Sequence, residues 1–190
     1  MRYLLIVSAF TFLIACQDDS FILSPDESEA AIGRDWPDID PLLIPHFVNF
    51  EDAAFERGID IDLSTSGIRA VIEDIREEDI AGTCTYGVHR FSLKEIVIDE
   101  PFWDQTSNLI REYIVFHELG HCYLFRDHND QCTARGIWES IMRSGTIGGC
   151  RDSYNNRTRE AYLDELFSDG LLNKKGLTRI CGSGLFIKNM

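Results

Sequence analysis

The segment His117-Glu118-Leu119-Gly120-His121-Cys122-Tyr123-Leu124-Phe125-Arg126-Asp127-His128 gathers the residues of this chain best suited to chemistry. Three of the five histidines fall within these twelve residues. His117 and His121 are four apart, a spacing that puts both on one face of a helix and lets both imidazoles point at one ion. Neutral imidazole is a good zinc ligand, and a catalytic zinc takes three protein ligands while keeping one position open for water. Glu118 projects about 100° around the helix from His117, so it reaches that water without ligating the metal. Zinc lowers the pKa of the water toward about 7, and the carboxylate takes its proton. The expected chemistry is therefore hydrolysis by zinc-activated water. Zn2+ is the cofactor, His117 and His121 are ligands, and Glu118 is the general base. The plainer alternative is a pair of surface histidines bridged to neighbouring acids. The clustered third histidine weighs against it.

This segment, followed by Ser140-Ile141-Met142, resembles the metzincin clan of zinc metallopeptidases. Their signature runs H-E-x-x-H-x-x-G-x-x-H and is followed by a methionine-containing turn under the zinc. The chain is also similar to small bacterial lipoproteins that carry His-Glu-Leu-Gly-His-Cys and a later Ser-Ile-Met. The likeness covers residues 41–170, with its specific motifs confined to 117–128 and 140–142. It implies a zincin-like fold, an endopeptidase activity on peptide or protein substrates, and Met142 as the turn methionine. Two positions depart from the pattern. Leu124 stands at the glycine position, and Asp127 stands at the third-histidine position with His128 one residue later. A turn one residue longer brings His128 to the metal as third ligand. Standard spacing would use Asp127 instead, since carboxylates also ligate zinc. His128 is favoured, because an all-histidine site suits catalytic zinc and leaves Asp127 to orient a ligand. Astacin-type relatives place a tyrosine two residues after the methionine, where this chain has Ser144. On residue chemistry, Tyr154 and Tyr162 are the candidates to assist an oxyanion, each with a structural role as the alternative. The resemblance also implies that Ala81–His89 is an edge strand pairing with an extended peptide, with Gly82 and Gly87 allowing close backbone approach. A flexible hairpin is the other reading. His46 and His89 lack ligand spacing and read as structural.

The elements that must position these residues follow from the apolar pattern. Pro41 to Arg57 has near-helical spacing, and Gly58 stands where that helix would stop. Ile68 to Ile75 reads as a strand, Ala81 to Phe91 as an irregular or edge strand, and Glu95 to Asp99 as a short apolar strand. Ser107 to Phe125 is a long helix and Asn156 to Phe167 a last one, with a polar, glycine-containing stretch between them up to Cys150. This order predicts an α+β fold with a small mixed sheet and a long active-site helix.

The chain has 190 residues, enough for one domain with a tail. Met1-Arg2-Tyr3, an apolar run from Leu4 to Ala15 and the ending Leu13-Ile14-Ala15-Cys16 read as an exported lipoprotein leader, with Cys16 as the lipidated first residue. The apolar run is shorter than the ~20 residues a bilayer span needs. An ordinary cleaved signal is the alternative. The segmentation is a signal peptide over 1–15, an acidic tether over 16–40 and a catalytic domain over 41–190. Gln17-Asp18-Asp19 resembles an acidic surface-export tag, which points to the outer membrane or cell surface of a Gram-negative-type envelope. With 32 acidic against 18 basic residues and a net charge of −14, the chain repels phosphate backbones, so nucleic acid is not an expected partner. Besides Cys16 there are Cys84, Cys122, Cys132, Cys150 and Cys181. An exported chain can oxidise them. Cys132 and Cys150 bracket Met142 and are expected to pair, and Cys122 points away from His121 as a packing or bridging residue. The leading expectation is thus a lipid-anchored zinc endopeptidase. A protease fold that has lost activity, or a binding or adhesion lipoprotein, is the alternative.

Overall fold

The computed structural model describes residues 34–77, 79–87, 93–145, 150–168 and 184–187. The leader 1–15, Cys16, most of the expected tether, His89 and Cys181 lie outside the described residues.

The first helix, α1, spans Ile44–Phe55, with Pro45 in its first turn, where a missing N–H costs nothing. It ends as expected at Gly58, which takes φ 73° and lets Ile59 N–H return to the Ala54 carbonyl at 3.0 Å. Three strands follow: β1 (Ile68–Glu73), β2 (Ile80–Tyr86) and β3 (Lys94–Asp99). β3 pairs parallel to β1 and antiparallel to β2. Asp99 at the end of β3 accepts a hydrogen bond from Phe102 N at 2.9 Å and so caps a short helix, α2 (Glu100–Gln105). The long helix α3 runs Asn108–Cys122, and α4 spans Arg159–Ser168. A last strand, β4 (Gly184–Ile187), pairs antiparallel with β2, for a strand order β1-β3-β2-β4.

The α+β expectation is met: a small mixed sheet with helices against it. α3 packs against β2 and β3, and α1 packs against α3. The alternating residues Ile68 and Ala70 on β1, and Ile96 and Ile98 on β3, are buried in the same core as Ile114, Phe116 and Leu119 of α3. Phe50 of α1 bridges the layers, with its ring 5.1 Å from Phe116 and 5.0 Å from Phe167 of α4. Two disulfides reinforce the packing. Cys84–Cys122 fastens β2 to the last residue of α3, and the expected Cys132–Cys150 pair closes the loop around Met142.

Three features differ from the expectations. The boundary at residue 40 lies too late. Trp36 and Ile39 are buried, Ile39 bridges to Ala70 on β1, and Arg34 pairs with Glu51 on α1. The acidic composition of this stretch masks two apolar anchors. The second strand is not an edge, because β4 lies along it from Ile80 to Cys84. A four-residue strand gives too little alternation to be read from sequence. Finally, α2 was not foreseen, although Asp99 followed by Pro101 is an N-terminal helix signal.

Candidate metal centre

The site is assembled from the end of α3, the turn after it, and the Ser140–Met142 segment. Within α3, Ile114, Val115, Phe116 and Leu119 face the core and fix the helix's rotation. His117 and His121 are then buried on a common side. The helix ends at Cys122, and Tyr123 N–H still bonds the Leu119 carbonyl at 2.8 Å. Phe125 next adopts the left-handed region, φ 57°. Leu124 N–H reaches the Leu119 carbonyl at 3.2 Å and Arg126 N–H reaches the Gly120 carbonyl at 2.9 Å. The chain reverses one residue later than a glycine at position 124 would dictate. The imidazole that arrives beside the other two belongs to His128.

The three rings converge through their Nε2 atoms. His121 Nε2 lies 3.1 Å from that of His117 and 3.1 Å from that of His128. Two Nδ1 atoms are already committed: His117 donates to the Ile141 carbonyl at 2.8 Å and His121 to the Arg126 carbonyl at 2.6 Å. A carbonyl only accepts, so Nδ1 carries the proton and Nε2 of the neutral ring presents a lone pair. Lone pairs facing each other at this distance repel unless a cation lies between them. A tetrahedral zinc with Zn–N of about 2.05 Å separates its nitrogen ligands by about 3.3 Å, close to what is found. Burial, reinforced by the neighbouring imidazoles, holds the His117 pKa far below the ordinary histidine value and that of His121 at about 4, and burial lowers that of His128. All three are neutral at pH 7, the form that binds metal. Among the described residues, His117, His121 and His128 form the group able to hold an ion, and Asp127 is not part of it.

Glu118 is fully buried, and neither carboxylate oxygen has a hydrogen-bond partner among the described residues. Burial raises its pKa well above the usual carboxylate value. A buried carboxylate without a partner is costly unless something outside the protein completes it. A cation and its water on the adjacent imidazoles would do so. Space for the carboxylate comes from Gly82 on β2, where a Cβ would stand 3.0 Å from Glu118 Oε1 and 3.2 Å from its Cγ. The close approach at Gly82 is made by the side chains of Glu118 and Ile114.

Met142 is fully buried beneath α3, opposite Gly120. Its N–H donates to Ser140 Oγ at 2.9 Å, and its carbonyl accepts from Asn129 N at 2.8 Å. This turn places the Ile141 carbonyl under His117. The tyrosine candidates are committed elsewhere. Tyr154 Oη donates to Glu112 at 2.5 Å and Tyr162 Oη to the Trp138 carbonyl at 2.8 Å. Ser144 donates to Asp130 through both N and Oγ. His46 packs edge-on against Trp103, outside the imidazole group. Cys122 is bridged to Cys84.

Family models, curated proteins and solved structures yield no match to this chain.

The sequence reading missed the groups hydrogen-bonded to the imidazoles, the Ile141 and Arg126 carbonyls, and Glu165 behind Arg126. The last lies 39 positions from Arg126, and no local spacing announces it.

Proposed function

We propose that this chain is a zinc-dependent endopeptidase with a zincin-like fold, exported and held at a membrane surface by lipid on Cys16. The observation that carries the reading is the convergence of three Nε2 atoms, two of them on buried imidazoles, with a buried, unpartnered carboxylate on the same helix turn. His117, His121 and His128 would hold the ion. When bound, zinc supplies Lewis acidity toward a peptide carbonyl and lowers the pKa of water toward about 7. The remaining work falls to the chain. The Ile141 and Arg126 carbonyls keep His117 and His121 in the tautomer that offers Nε2. Glu118 takes the proton of the attacking water and delivers it to the leaving amine. Gly82 leaves that carboxylate room to do so. The two disulfides support an oxidising compartment, in keeping with export.

Measuring zinc content and peptide-library hydrolysis on the same samples of wild type and Glu118→Gln tests this. Glutamine keeps the size of the side chain but not its basicity, so zinc should stay stoichiometric while hydrolysis falls about 100- to 10,000-fold. Equal rates would dismiss Glu118 as the base. If zinc-loaded wild type cleaves nothing, the second reading stands: an inactive protease fold acting as a binding or adhesion module. The commitment of both tyrosine hydroxyls and the cover of β2 by β4 favour that alternative.

A further inference from the structure

Glu165 projects from α4 into the loops around the imidazoles, and its two oxygens reach three side chains, two on the loop after α3 and one at the start of the Met142 turn. Oε1 accepts from Arg126 Nη2 at 2.5 Å and from Asn129 Nδ2 at 3.4 Å, and Oε2 accepts from Ser140 Oγ at 2.6 Å. Each of these partners adjoins one imidazole. The Arg126 carbonyl receives the His121 Nδ1 proton. Asn129 directly follows His128. Ser140 precedes Ile141, whose carbonyl receives the His117 Nδ1 proton, and its hydroxyl also accepts from Met142 N–H. Arg126 is clamped further by donating to the carbonyls of Glu165 and Leu166 at 2.6 and 2.7 Å. Side-chain exposure is low, 10% for Arg126 and 23% for Glu165, so the charged pair is shielded from water.

We infer that Glu165 is the positioning residue of the metal centre: one carboxylate from α4 fixes the loop that carries His128 and the two backbone carbonyls that orient His117 and His121. This rests on the metal-site reading above. A carboxylate is suited to the task because its two oxygens offer about four acceptor sites and the charge strengthens each bond. The Phe125 turn needs such an anchor. A non-glycine residue at positive φ gains nothing locally from that conformation, so the reversal that carries His128 must be held from outside. The α4 helix provides a rigid support, with Leu163, Leu166 and Phe167 buried in the core.

The test measures Zn2+ affinity of the full chain by chelator competition, together with the visible spectrum of the Co2+-loaded protein. Glu165→Ala should weaken zinc about 10- to 100-fold, the range for loss of a group that orients ligands, and should shift the Co2+ bands. Ser140→Ala cuts the arm to the Ile141 turn, together with the Met142 N–H bond to that hydroxyl, but leaves the Arg126 and Asn129 arms, and should weaken zinc less. Asp164→Ala, one residue away on the exposed side of α4, should leave both readouts unchanged. Should Glu165→Ala fail to fold, Glu165→Gln carries the test: it keeps the shape, loses the charge facing Arg126, and should give an intermediate loss. A folded Glu165 variant with wild-type zinc affinity and an unaltered Co2+ spectrum overturns the inference, even if its melting temperature drops. Wild type that binds neither ion overturns the metal-site reading itself.

Discussion

Replacing Gly120 by alanine sets two known effects against each other. On helix propensity, alanine gains about 1 kcal/mol over glycine in a helix interior. In this helix the new Cβ would stand 2.4 Å from Met142 Sδ, 3.0 Å from its Cε and 3.3 Å from Leu166 Cδ1. Ordinary contacts begin near about 3.5 Å, so the sulfur must retreat by roughly 1 Å. A methionine at a surface would swing aside, but Met142 is fully buried with Leu166 beside it. Overpacking of this kind costs about 1–3 kcal/mol, which matches or exceeds the propensity gain. Gly120→Ala should therefore destabilise the metal-free protein by up to about 2 kcal/mol in urea unfolding with disulfides intact. The larger effect should be on metal. Met142 is the neighbour of Ile141, whose carbonyl orients His117, so displacing the turn should cost about 10-fold or more in zinc affinity. Met142→Ala alone should cost about 2–5 kcal/mol through the cavity it leaves. Combined with Gly120→Ala it removes the clash, and the double variant should be more stable than the sum of the singles by about 1 kcal/mol or more. If Gly120→Ala is more stable than wild type and binds zinc equally, the packing argument under the helix is wrong.

His46 should make stability depend on pH. Burial holds its folded pKa at about 4 against a usual 6.5, so it stays neutral in the fold while the unfolded chain protonates. Its contribution is therefore complete above about pH 6.5 and lost as pH falls toward 4. The loss amounts to about 3 kcal/mol, and the wild-type minus His46→Phe difference in unfolding free energy, measured in chelator, should show that slope. A pH-independent difference would remove the burial argument. At Phe125, glycine adopts positive φ freely but loses the edge-on ring contact with Tyr86, so Phe125→Gly should be nearly neutral in thermal melts. Phe125→Val, β-branched and strained there, should destabilise and should also weaken zinc by loosening His128. Replacing Cys84 and Cys122 together by alanine opens a loop with a sequence separation of 38 and should cost about 3–4 kcal/mol of stability.

The residues legible in the sequence were those whose relations are internal to one element. His117, Glu118 and His121 sit on a single helix, and the helical period alone places two imidazoles on one face with the carboxylate turned aside. The apolar period likewise revealed the site helix, α1 with its glycine stop, and β3. His128 was half legible. Its choice over Asp127 depends on where the chain reverses, and the reversal occurs at Phe125, a residue that does not favour the left-handed conformation locally. Held conformations of that kind come from tertiary contacts, here the clamp on Arg126 from α4. Gly82 against Glu118, Gly120 against Met142, and Glu165 against Arg126, Asn129 and Ser140 were beyond local reading for the same reason. Each joins segments far apart in the chain, and the sequence carries no period linking them. β4 and the buried anchors Trp36 and Ile39 were hidden because a short segment is held only by a surface already built by others. Local geometry chose which atoms could meet a metal, and packing between distant segments decided which of them actually converge.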